Sequence, residues 1–251
     1  MNLAVNDLSL TLALMLVFIS MAISYKEKLG LSKDIFFGVI RAIIQLVLVG
    51  YLLKYIFQVN NTFLTIVMML IIIFNASYNA SKRNKGLRHS FQVSFIAIFL
   101  STAITISILV LSGAIQFIPS QMIPISGMIA SNSMIAIGLC YRSMNTMFQD
   151  QRQQVLEKLA LGATVKQASL SILQACVKTG MAPTIDSAKT VGIVSLPGMM
   201  SGLIFAGVDP VHAIKYQIMV TFMLLSATSI GSVLASYLFY RSYFNEHKQL
   251  L

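Results

Sequence analysis

The sequence predicts an all-α integral membrane protein of about seven transmembrane helices with a helical coupling elbow on the cytoplasmic side. Three observations carry that prediction. Of 251 residues, 57% are hydrophobic and 10% charged, and the mean hydropathy is +0.79. A soluble domain of this length needs more charge to cover its surface. Residues 8–25, 55–81, 89–141, 190–208 and 216–240 hold no Asp, Glu, Lys or Arg, and about 20 apolar residues cross a bilayer core. Finally, Lys and Arg crowd into alternate connections, the pattern that sets membrane topology.

Taken in order, the spans are expected at 8–25, 35–57, 62–80, 91–111, 122–141, 187–207 and 213–240. The first follows Asp7 with no basic segment before it, so it reads as a retained helix rather than a cleaved signal. The run 89–141 is long enough to cross twice and turns in "SGAIQFIPSQMIPISG", where Gly113, Pro119 and Pro124 interrupt the helical pattern. Basic connections carry Lys26, Lys28 and Lys33; Lys82, Arg83, Lys85 and Arg88; Arg142, Arg152, Lys158, Lys166 and Lys178; and Arg241 and Lys248 in the tail. The intervening "VNN", "SGAIQFIPSQ" and "GVDP" carry none, and neither do residues 1–7. The N-terminus is therefore expected outside and the C-terminus in the cytoplasm, in a multi-pass inner-membrane protein. The net charge of +10 is topological, lying beside anionic lipid, and calls for no nucleic acid. The whole chain forms one domain: five spans in 1–141, a cytoplasmic coupling segment at 142–182, and two spans with a tail in 183–251.

The sixth span, "SAKTVGIVSLPGMMSGLIFAG", contains Leu196-Pro197-Gly198, and a kink is expected there near mid-membrane, because Pro197 removes a helical donor. Gly198, Gly202 and Ala206 recur every four residues, as do Ala227, Gly231 and Ala235 in the last span. Each series forms a groove for close helix approach, within the chain or between copies.

The segment 142–182 is the only long hydrophilic connection. In "QVLEKLALGATVKQASLSILQACVKTG", Leu156, Leu159, Ala160 and Ala163 make one helical stripe, and Gly162 stands where a helix stops. Thr164 then begins a second helix with Gln167 three residues on, a capping box, and Val165, Ala168, Ile172, Ala175 and Cys176 give its apolar face. Two uses suit such an elbow: docking on a separate ATPase, or lying on the lipid surface. "EKLALGAT" resembles the EAA-type coupling loop of ABC transporter permeases, although Gly162 follows Glu157 by five positions and Leu159 stands where that loop has alanine. The ATPase-coupling residues would be Glu157, Gly162, Ala163, Thr164 and Gln167. No G-x-x-x-x-G-K-[ST] phosphate loop is present; "SAKT" lacks both glycines.

"KEKLGLSKDI", "RAIIQLVLVGYLLKYIF", "IPISGMIASNSMIAIGLCY" and "DSAKTVGIVSLPGMMSGLIFAGVDPVHAIKYQIMVTFMLL" together resemble the bacterial iron-export ABC transporter permeases, to which a plant aluminium-resistance permease is similar. The resemblance implies a homodimeric transport subunit that is not an enzyme and holds no cofactor of its own. A cognate ATPase would bind ATP and magnesium, and the assembly would serve iron efflux, metal homeostasis and tolerance of oxidative stress. The plant relative's association with nucleotide-sugar transport leaves the substrate open. A secondary transporter and a non-transporting scaffold are the rival classes.

Candidate pathway or gate residues are few. Arg41, with Gln45 on the same face, either snorkels or makes a polar contact in the bundle. Asn75, Asn79 and Asn132 would bond between helices or line a path. Asp186 and Lys189 can pair at the cytoplasmic mouth of the sixth span, as structure or as gate. Met128, Met134, Met199 and Met200 either fill space or line a path. His89, His212 and His247, with the acids, sit peripherally and form no metal cluster. Cys140 and Cys176 form no CxxC and are expected to stay free.

Overall fold

The computed structural model describes residues 7–83 and 89–250; the first six residues and the predicted loop bases Lys85 and Arg88 fall outside them. The chain divides into two compact units, Met1–Asn60 and Asn61–Leu251. Every regular element described is helical, and pairing is limited to isolated bridges at Val191–Ser195 and Phe244–Leu250.

The first unit is a helical hairpin, α1 (Asp7–Lys26) and α2 (Ser32–Val59). Its turn is set by Lys28 and Gly30, both at positive φ (52° and 72°). Ser24 is buried here: its Oγ accepts from Leu31 N–H at 3.2 Å, and its carbonyl accepts from Leu29 N–H at 3.0 Å. Asn60 closes α2 in the left-handed region, where an Asn side chain is tolerated.

The second unit contains α3 (Thr62–Ser81), α4 (Ser90–Leu111), α5 (Pro119–Asp150), α6 (Arg152–Ala160), α7 (Val165–Thr190), α8 (Gly198–Phe205) and α9 (Pro210–Phe239), closed by a 3-10 turn, Tyr240–Tyr243. Local chemistry fixes the boundaries. Asn61 Oδ1 accepts from Phe63 N–H at 2.8 Å and starts α3. Pro119 and Pro210 occupy first turns, where a missing N–H costs nothing.

At the centre stands α5, packed against α3, α4, α7 and α9. Its 32 residues run about 48 Å at 1.5 Å per residue, longer than a bilayer core. Two apolar clusters lie along it. Near the basic end, Tyr141 meets Phe239 at 4.7 Å between ring centroids, and Phe148 stacks on Tyr243 at 4.4 Å. Tyr141 Oη also bonds Ser94 Oγ at 3.0 Å. Nearer the other end, Ile106, Met122, Ile129, Val220 and Met223 form the second cluster. Cys140 and Cys176 are both buried and free, with Cys140 Sγ donating to the Cys176 carbonyl at 3.3 Å.

Among the described residues, six helices are long and apolar enough to cross a membrane: α1 to α5, and α9 with its terminal turn. The segment expected as a sixth kinked span differs in detail. Helix α7 does not stop at residue 182; it continues through Pro183 to Thr190. The chain then leaves the helix, and α8 begins only at Gly198. At Pro197 the helix is interrupted rather than kinked: Pro197 is the extended residue before α8 (φ −60°, ψ 147°), and Gly192 turns at φ 86°. Helix α7 ends at Val191, which is extended, and Gly192 turns the chain at positive φ; Pro197 keeps Leu196 out of the helical region and sets the start of α8.

Candidate functional site

The elbow is built from both sides of residues 161–164. Gly162 takes φ 87°, open to glycine without strain. Gln167 N–H donates to Thr164 Oγ1 at 3.3 Å, and Thr164 N–H donates to Gln167 Oε1 at 2.9 Å, so the capping box is complete. Glu157 accepts from Gln153 at 3.2 Å along α6. Helix α6 is held by the fully buried Val155 together with Leu159 of the predicted stripe, which packs half-buried against the main apolar cluster, while Leu156 is exposed. Helix α7 buries Ala168 and Ile172 as its pattern predicts, adding Ser169 and Leu173. Ala163 is half-buried in the turn, and Leu161 stands at its tip, 87% exposed.

The C-terminal segment lies beside this elbow, a neighbour the sequence did not single out. A cleft of about 820 Å³ lies between Gly162–Lys166 and residues from Tyr240 to Lys248. Arg152 reaches the carbonyl of Leu250 at 3.3 Å, and Tyr243 Oη donates to Asn145 Oδ1. The legible signal was the aromatic spacing of Tyr240, Tyr243 and Phe244.

At the other end of α7, Gly192 N–H donates to the Ser195 carbonyl at 2.9 Å and Val194 N–H to the Thr190 carbonyl at 2.9 Å. Residues 192–196 are nonetheless exposed, Ile193 to 89% and Val194 to 79%. Beside the break lies a cavity of about 220 Å³, lined by Met128 of α5, Thr184 and Ser187 of α7, Met199 of α8, and Gln217 and Thr221 of α9, among others. Gln217 Oε1 is buried without a hydrogen-bond partner.

The remaining candidates separate. Arg41 and Gln45 are exposed on α2. Asn79 Nδ2 donates to Asn75 Oδ1 at 2.7 Å, and Asn132 Nδ2 donates to the Met128 carbonyl at 2.9 Å. Each amide thus bonds within its own helix rather than between helices, because a short polar side chain reaches the carbonyl one turn back. Asp186 and Lys189 do pair, at 3.2 Å and exposed, but one turn before the break rather than at a helix mouth. Met199 faces the cavity while Met200 is buried away from it. The two small-residue series also part. Gly231 packs against Ser133 and Ile137 of α5, whereas a methyl group added to Gly198 or Gly202 would meet nothing within 4 Å. No group of three or more His, Cys, Asp or Glu side chains able to hold a metal occurs among the described residues.

Beyond the membrane helices, Asp209 caps α9. Hydrogen bonds from Val211 N–H, then from His212, hold its carboxyl below the usual carboxylate range.

Known proteins resemble this chain along nearly its whole length. The "Probable iron export permease protein FetB" of Escherichia coli (strain K12) is 57% identical over 98% of this chain and 95% of its own length. The "UPF0014 membrane protein YjkA" of Bacillus subtilis is 36% identical over 97% of each chain. "Protein ALUMINUM SENSITIVE 3" of Arabidopsis thaliana is 34% identical over 95% of this chain and 87% of its own. No solved structure matches. Residues 7–244 match the uncharacterised protein family UPF0014, and with relatives this similar across the same span, the chain belongs to that family of membrane proteins.

Proposed function

We propose that this chain is the permease subunit of an ATP-binding-cassette exporter, that its cargo is iron, and that a separate ATPase supplies the energy. The observation that carries this is one continuous path, from the exposed Leu161 at the elbow tip along α7 to the break at 191–197. A groove on the ATPase receives the elbow, and closure of the ATPase pair moves α7. Gly162 sets the turn, while Thr164 and Gln167 keep it rigid enough to transmit force. Glu157 and Ala163 complete the docking face. ATP and magnesium stay on the partner. The Escherichia coli relative is named a permease, a transport component, and a transport role rather than catalysis is proposed here.

In this account α7, the break and α8 together make the sixth of seven crossings. The N-terminus is outside, and the elbow and C-terminus are in the cytoplasm of the inner membrane, in line with the basic connections. Val191 and Pro197 share the cavity with Met128, which lies about 13 Å along α5 from Pro119 at 1.5 Å per residue. The break then sits near the middle of a core about 30 Å thick. Irregular backbone and an ionised pair survive at that depth only against protein or water. Asp186–Lys189 and residues 193–196 therefore mark where a second copy meets the first, with Gly198, Gly202 and Ala206 in the seam, and where the path runs.

Gly162→Pro tests the coupling. Proline fixes φ near −65°, incompatible with φ 87°. The variant should insert and fold, yet ATP should no longer drive transport in the assembled complex. Transport at the wild-type level would contradict the assignment.

A further inference from the structure

The cleft between the elbow and the C-terminal segment is basic on both walls. Lys166, in the first turn of α7, lines one; Arg241, His247 and Lys248 line the other. All four are exposed, and no Asp or Glu is among the lining residues. The ion pairs recorded among the described residues, Asp186–Lys189 and Asp209–His212, leave these cations out. Lys166 Nζ lies 5.9 Å from the centroid of the Tyr237 ring, and no carboxylate answers its charge. Like charges gathered in this way repel one another, so an anion seated among them is stabilised from both sides. The positive end of the α7 dipole adds to the same wall.

The tail wall is held firmly. Lys248 takes φ 61°, in the left-handed region, which is uncommon for a residue with a long side chain. Three bonds fix it there: Asn245 N–H donates to the Gln249 carbonyl at 2.9 Å, Lys248 N–H to the Asn245 carbonyl at 2.9 Å, and Gln249 N–H to Asn245 Oδ1 at 2.8 Å. Phe244 and Leu250 are buried on either side of this turn. Arg241 and Lys248 thus share the cleft with Lys166 from a fixed support.

Size and charge narrow the ligand. About 820 Å³ falls within the roughly 300–1,000 Å³ of small-molecule sites, room for a phosphate and the group that carries it. The planar fork of Arg matches phosphate oxygens in pairs, and Lys binds them as a point charge. Several cations suit an anion with more than one charge, which linked phosphates supply and a single carboxylate does not. Phe148, which stacks on Tyr243, lies about 44 Å along α5 from Pro119 at 1.5 Å per residue. A bilayer with its headgroups is about 40–45 Å thick. In the proposed topology the cleft therefore opens at the cytoplasmic headgroup boundary, within reach of lipid phosphates and soluble ones alike.

We propose that this cleft binds an anion carrying two linked phosphates, held between Lys166 on the elbow and Arg241 and Lys248 on the tail, and that the bound anion clamps the tail to the elbow. The site stands apart from the cargo: Leu161 at the elbow tip is not in its lining, so the tip stays free to dock while the clamp is closed.

The test uses the full-length protein in nanodiscs with two probes. Pyrophosphate is titrated by calorimetry into nanodiscs of phosphatidylcholine alone, and cardiolipin carried through detergent exchange is counted by native mass spectrometry. At least one should bind saturably, one per chain, and more weakly as salt rises. Pyrophosphate binding assigns a soluble phosphate compound, and cardiolipin retained without it assigns a lipid headgroup. Lys166→Gln, Arg241→Gln and Lys248→Gln should each weaken binding by about tenfold, the loss of one hydrogen bond to a charged group. Lys166→Arg should retain it, and Lys178→Gln, an exposed base of α7 outside the lining, should change nothing. The bound probe should also slow amide exchange in 162–166 and 244–250 together. Saturable binding of neither probe, or equal affinity in the triple Gln variant, overturns the site. Weaker ATPase assembly in the triple variant with neither phosphate probe bound also overturns it, and gives the cleft to an acidic segment of the partner. Binding without the paired slowing of exchange overturns the clamp.

Discussion

At Gly180 the backbone of α7 runs so close to α5 and α9 that a methyl group would crowd Cys140 Sγ, the Ala136 carbonyl at 2.9 Å and Ser232 Oγ at 3.0 Å. Gly180→Ala should destabilise the protein by about 1–3 kcal/mol, the usual cost of overpacking. A drop in thermal unfolding midpoint in detergent would report it, with Gly202→Ala as the unstrained control, since nothing lies within 4 Å there. Asp209 makes a pH-dependent prediction. Its carboxyl is held below the usual range by the α9 amides, so its stabilisation is complete at neutral pH. That contribution fades only as pH falls through a value lower than an ordinary carboxylate's. The stability gap between wild type and Asp209→Ala should therefore be constant near neutrality and close in acid, whereas Asp209→Asn should retain a capping oxygen throughout. Unfolding midpoints across pH check both. Neither Gly180 nor Gln217 was legible beforehand, because a lone glycine or amide in an apolar run does not name its partner. Asn75 and Asn79 show the same limit: spacing revealed a shared face but not the bond that Asn79 Nδ2 donates to Asn75 Oδ1 along it.

Among the elements, the α6–α7 elbow was the most legible, since Gly162, Thr164 and Gln167 are local signals read within a few residues. The break after Thr190 was read less well. Pro197 was expected to kink one continuous span, but α7 runs through Pro183 to Thr190 and ends before Gly192 turns at positive φ, while Pro197 precedes α8. Thr164→Ala removes the cap and should cost about 1 kcal/mol along with part of the coupling, while Thr164→Ser should keep both. Calorimetry of the complex and ATP-driven uptake, measured side by side, distinguish these outcomes. Equal coupling in Thr164→Ala would show that elbow rigidity is not what transmits motion.

For the whole molecule, the multi-pass all-helical character was legible in composition, because lipid imposes length rules on every helix, but six of the described helices, not the seven segments expected, are long and apolar enough to cross. What composition could not convey is the exposed stretch 193–196 and the open face of Gly198 and Gly202. If two copies meet there, Val194→Cys should cross-link into a covalent dimer with a short bis-maleimide, the native cysteines being buried; a strictly monomeric product would contradict the seam. The central claim, ATP-driven iron export through this permease, is tested most directly in inverted vesicles holding the chain and its ATPase. Iron(II) should accumulate inside only when ATP and both proteins are present. No accumulation, or equal accumulation without ATP or without the ATPase, would contradict it.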